Sequence, residues 1–85
     1  MKKFKFKPFC VDMKNATDEQ ICELHALCVE TGAREWESIN VWLECKLDCP
    51  FMGIDLHGDV YSQYHVVVFH DNLIKFEDVK AHLKE

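Results

Sequence analysis

The segment "SINVWLECKLD", residues 38–48, can be taken at first sight for a helix or for a strand, and the choice sets the number of strands in the fold. Ile39, Val41, Leu43, Cys45 and Leu47 all occupy odd positions, with Asn40, Glu44 and Lys46 between them. Period-2 alternation marks a half-buried strand, so the spacing predicts a strand over 39–47 with Cys45 facing the core. Trp42 then lies on the polar face. Helix over residues 39 to 47 would remove that strand.

The segments on either side continue the pattern. Cys49-Pro50 turns the chain, and "FMGIDL" and "DVYSQYHVVVF" flank "HGD" at residues 57–59. A glycine in a short polar connection between apolar segments reads as a hairpin turn, with a break in the second arm near Tyr64-His65. Upstream, "TDEQICELHALCVETG" is the clearest helix. Thr17 and Gln20 form a T-x-x-Q capping box, and Asp18 and Glu19 suit the positive end of the helix dipole. Ile21, Leu24, Cys28 and Thr31 follow one stripe, and Gly32 stands where a helix-terminating glycine is expected. The helix is expected over about 18–31.

At the start, Phe4 and Phe6 alternate with Lys3, Lys5 and Lys7, and the apolar parity moves to Phe9, Val11 and Met13 after Pro8. Pro8 lacks an N–H, which suits an edge strand or a bulge, so a first strand is expected over about 3–12. Phe76, Val79 and Leu83 are spaced for a short closing helix. The predicted fold is α+β, one domain over residues 1–85, in the order β-α-β-β-β-α. It has a mainly antiparallel sheet, one long helix on a face and a short C-terminal helix.

Composition bounds the function. The net charge of −5 conceals four lysines and no acid in the first seven residues. The rest carries six Lys/Arg against fifteen Asp/Glu, which is −9. Such a field repels nucleic acid and favours basic partners. No apolar run approaches the roughly 20 residues that span a bilayer, and "MKKFKFKPF" lacks a signal-peptide core. A cytoplasmic protein is expected, its five cysteines free thiols packed as small hydrophobes.

Two chemical functions stand as alternatives to plain binding. For a metal site the candidates are Cys22, His25, Cys28, Cys45 and Cys49. Cys22 and Cys28 lie about 9 Å apart along a helix axis, too far for two thiolates on one tetrahedral zinc. Cys45-x3-Cys49 lacks the C-x2-C spacing of a knuckle. For an enzyme, His70-Asp71 alone does not make a metal-dependent phosphohydrolase, and no phosphate loop, G-x-S-x-G or H-E-x-x-H occurs. No catalytic residue, bound metal or cofactor is therefore expected; a small structural zinc domain and a small Cys/His enzyme are the alternatives.

"FKFKPF", "DEQICELHALCVETGAREW", "CPFMGIDLHGDVYS" and "LIKFEDVKAHL" together resemble a class of small bacteriophage accessory proteins. That class has a K-P-F strand, a helix ending at Gly and Trp, a P-[FY]-hydrophobic-x-D-x-x-G hairpin and an I-T-[LF]-E-[DE]-L closing segment. Lys75 departs from it, standing where a Thr or Ser cap is usual, and residues 34–48 are more apolar than the pattern needs. The resemblance implies a phage or prophage product that stoichiometrically inhibits host machinery, of anti-CRISPR or anti-restriction type. Its partner would be a host protein or complex with a basic surface, without direct nucleic-acid or membrane binding; a homodimer stays open. The expected contact surface is Trp36 and Trp42 with Glu35, Glu37 and Glu44, neighboured by Asp55 and Asp59. If the C-terminal helix or the first strand covers Trp42, that surface loses its second indole.

Overall fold

The long helix begins as its capping box predicts. In the computed structural model, which describes residues 8–69 and 72–84, Gln20 N–H donates to Thr17 Oγ1 and Thr17 N–H donates to Gln20 Oε1. This helix, α1, spans Asp18–Glu30 and turns Ile21, Leu24, His25 and Cys28 inward. Gly32 follows at φ 97°, a conformation costly for any residue with a Cβ.

Residues 39–47 do not form a strand. Ile39–Cys45 is a second helix, α2, starting after Ser38. The correction has a physical cause. Alternation over seven residues also contains an i, i+3, i+4 stripe, here Ile39, Trp42 and Leu43, and all three pack in or against the core. A strand would have left the largest apolar side chain in water. The helix buries Trp42 completely and leaves Val41 and Leu47 exposed instead. Cys45 is the last residue of a helix rather than a core-facing strand position.

Among the described residues three strands remain: β1 (Phe9–Asp12), β2 (Phe51–Ile54) and β3 (Val60–Gln63), ordered β1-β2-β3 with both pairs antiparallel. The class is α+β as expected, with the second strand of the predicted order replaced by a helix. The part of the first strand expected over residues 3–7 lies outside the described residues. Register places Phe9 opposite Ile54, Val11 opposite Met52, and Ile54 opposite Val60. These five residues share one sheet face because strand side chains alternate. They form the core with Ile21, Leu24 and Cys28 of α1 and Trp42 of α2.

The arm after β3 stops at Gln63, near the expected break, and Val67–Phe69 is a 3-10 turn. A second 3-10 turn, Phe76–Asp78, leads into the short closing helix α3, Val79–Leu83. Lys75 occupies the N-cap position of that 3-10 turn without a side-chain capping bond, the consequence of a residue that cannot accept one. Among the described residues no helix is long and apolar enough to cross a membrane.

Candidate functional site

The turn between β2 and β3 is built on Asp55. Its Oδ1 accepts from the backbone N–H of His57 at 2.9 Å and of Asp59 at 3.0 Å, while its carbonyl accepts from Gly58 at 3.0 Å. Gly58, at φ 81°, supplies the left-handed residue that this turn requires. An aspartate that accepts from the backbone two residues on is a common way to close such a turn.

Two further segments dock onto it. Arg34 N–H donates to the Gly58 carbonyl, and Val60 N–H donates to that of Arg34. Arg34 also donates through Nε and Nη2 to the two carboxylate oxygens of Asp59, at 2.6 and 3.0 Å. This fork, first through its hydrogen bond and then through its charge, pushes the Arg34 pKa further up. From the other side, Leu56 N–H donates to the Val68 carbonyl at 3.2 Å. The result is a pocket of about 420 Å³ lined by Trp36, Tyr61, Leu56, Val67, Asp55 and Asp59, with His57 and Val68 completing its wall. Its rim is apolar and wet: Trp36 is 63 % exposed, Leu56 56 % and Val67 58 %. The Arg34 guanidinium stands over the Trp36 ring, 5.5 Å from its centroid.

The structure thus brings Trp36, Asp55 and Asp59 together and separates them from the other expected contact residues. Trp42 does not face outward. Its indole N–H donates to Glu37 Oε1 at 3.2 Å, and the His25 ring meets it edge-on at 4.9 Å. Part of its cover comes from α1 through His25, and it lies in one core cluster with the sheet and with Val79 of α3. Glu37 is likewise turned inward, accepting also from Ser62 Oγ at 2.6 Å. Glu35 is half exposed and lies 3.7 Å from His25 Nε2. Glu44 is exposed on α2 and does not line the pocket.

Arg34, Leu56, Tyr61 and Val67 were not anticipated. Leu56 carried a signal, an apolar residue at a hairpin tip. Val67 was hidden within "HVVVF", which reads as a continued strand.

The thiols have other roles. Cys28 is fully buried, and desolvation pushes its pKa far up. Cys49 N–H donates to the Cys45 carbonyl at 2.6 Å, closing the chain reversal before Pro50. Burial first, then Cys45, raises the Cys49 pKa, the opposite of what a thiolate ligand or nucleophile needs. Among the described residues no group of three or more His, Cys, Asp or Glu side chains is arranged to hold a metal ion. His70 and Asp71 lie outside the described residues. Comparison with known proteins finds no matching family model, curated protein or solved structure.

Proposed function

We propose that this chain is a small acidic binding protein, not an enzyme, that docks on a partner protein through the surface around Trp36. In the biological setting implied by its resemblance to phage accessory proteins, it inhibits a host defence complex by stoichiometric occupation. The carrying observation is the exposed Trp36–Leu56–Val67 rim around a pocket with two carboxylates. Apolar side chains grouped on a surface cost solubility unless covered, and Trp is enriched among residues that dominate binding energy. The charge of −5 favours a basic partner face and disfavours nucleic acid.

The test is affinity capture from a bacterial host lysate with the unmodified chain and with Trp36→Ala and Leu56→Asp, retained proteins being identified by mass spectrometry. The expected outcome is a partner held by the unmodified chain, lost with both variants, and inhibited at about one chain per complex. A partner retained equally by both variants would sink the proposed surface.

A further inference from the structure

Among the described residues, one carboxylate oxygen at the pocket has no hydrogen-bonding partner. Asp55 is only 8 % exposed, and both N–H groups that reach its carboxylate bond to Oδ1. Oδ2 receives no hydrogen bond among the described residues, and Asp55 lines the pocket. An open carboxylate oxygen on a largely buried residue is a ready acceptor for a positively charged donor that enters the pocket.

The surroundings select the donor. Asp59 is engaged at both oxygens by Arg34, whereas Asp55 feels the Arg34 charge only through space and has no direct ionic contact with it among the described residues. The pocket offers Trp36 and Tyr61 rings with Leu56 and Val67; its second acid, Asp59, is already held by Arg34, and among the described residues no group of three or more metal-ligating side chains forms. A bare ammonium or divalent cation prefers water to such walls. A guanidinium is more weakly hydrated, lies flat on aromatic faces and directs planar N–H groups at a carboxylate. The site already shows this combination once, on its outer side: Arg34 bonds to Asp59 and stands over Trp36. At about 420 Å³, near the small end of ligand sites, the pocket suits one long side chain better than an extended ligand.

We infer that the pocket takes an arginine side chain from a basic segment of the partner protein, its guanidinium donating to Asp55 Oδ2 between Trp36 and Tyr61. This rests on the docking surface proposed above and assigns its central contact.

The probe is an end-blocked Gly-Gly-Arg-Gly-Gly peptide, titrated into the isotopically labelled full chain and followed by amide and indole NMR shifts. Saturable shifts are expected at the Trp36 indole and at residues 55–61 and 67. Binding should be about tenfold weaker for the lysine peptide and for Asp55→Asn, the loss of one charge-assisted hydrogen bond. The citrulline peptide, uncharged but of similar shape, should not saturate. Asn keeps an Oδ1 acceptor for His57 and Asp59, so the turn is retained; should that variant fail to fold, the citrulline comparison on the unmodified chain decides alone. Equal binding of the arginine and lysine peptides, or shifts spread over the acidic surface, would overturn the inference. A captured partner lost with Trp36→Ala but kept by Asp55→Asn leaves the docking surface standing and removes the arginine contact. A saturating arginine peptide with a captured partner indifferent to Trp36→Ala does the reverse.

Discussion

The indole N–H of Trp42 donates to the carboxylate of Glu37, five residues earlier, at 3.2 Å. A buried indole needs an acceptor, and this one fixes the chain entering α2 against the helix that it begins. Glu37 Oε1 accepts from Ser62 Oγ as well, which links α2 to β3. His25 Nε2 lies 2.8 Å from the Glu37 carbonyl oxygen; since a carbonyl only accepts, that nitrogen carries the proton. Three elements thus meet at residue 37. Trp42→Ala should lower unfolding free energy by about 3–5 kcal/mol, the range for removing a buried aromatic. Denaturant titration measures it; a change below 1 kcal/mol, on the scale of a surface substitution, would mean that Trp42 is not core.

Glu37 itself should behave as a structural residue. Glu37→Ala leaves the Trp42 indole and the Ser62 hydroxyl without their acceptor. Orphaned buried donors cost about 1–3 kcal/mol, so a loss of that size is expected in the same titration. An unchanged midpoint would place Glu37 at the surface, where sequence reasoning had put it.

That difference shows where the sequence was legible. The capping box, the positive-φ glycine after α1, the parity of Phe9, Val11 and Met13, and the hairpin glycine are local signals, and each holds in the structure. Segment 39–47 failed because so short a segment admits two periods, and the deciding fact is tertiary: a cover for Trp42 that polar neighbours in sequence do not reveal. The site shared that error. With Trp42 outside, the acids near it looked like one patch; with Trp42 inside, Glu37 follows it, and of the two indoles only Trp36 stays out. Asp55 and Asp59 reach Trp36 through the backbone and side-chain contacts of Arg34 with residues 58–60, which join distant segments.

Gly53 should tolerate no side chain. It sits in the middle strand opposite Cys10, and a Cβ there would collide with the Phe9 carbonyl oxygen and lie 2.8 Å from the Cys10 Cα. Both neighbours are backbone, so no rotamer change relieves the overlap. Gly53→Ala is expected to destabilise by about 3 kcal/mol, the upper part of the overpacking range. Thermal unfolding followed by circular dichroism tests it, and an unshifted midpoint would contradict the β1–β2 approach.

Cys28 makes stability fall at alkaline pH. Burial raises its folded-state pKa far above the ordinary thiol value of 9.0. The contribution is complete below pH 9.0 and is lost above it, where the unfolded chain releases a proton that the folded chain retains. The slope is about 1.4 kcal/mol per pH unit for one thiol. Unfolding free energies of the unmodified chain and of Cys28→Ala should therefore converge between about pH 9 and 11, a window that follows from this linkage. Parallel curves would show that the thiol ionises freely in the folded state.

Trp36 should separate binding from folding. Its side chain is 63 % exposed, in contact with the Arg34 guanidinium and the pocket but outside the apolar core. Removing it leaves no cavity, since one face already meets water, and the Arg34–Asp59 fork is untouched. Trp36→Ala should therefore shift folding stability by no more than about 0.5 kcal/mol, as surface substitutions do. The same change should weaken partner binding by about 2 kcal/mol or more, the magnitude of an interface hot spot. Denaturation and calorimetric titration of the captured partner measure the two quantities on one sample. Loss of stability with unchanged affinity would assign Trp36 to the scaffold and move the docking surface elsewhere.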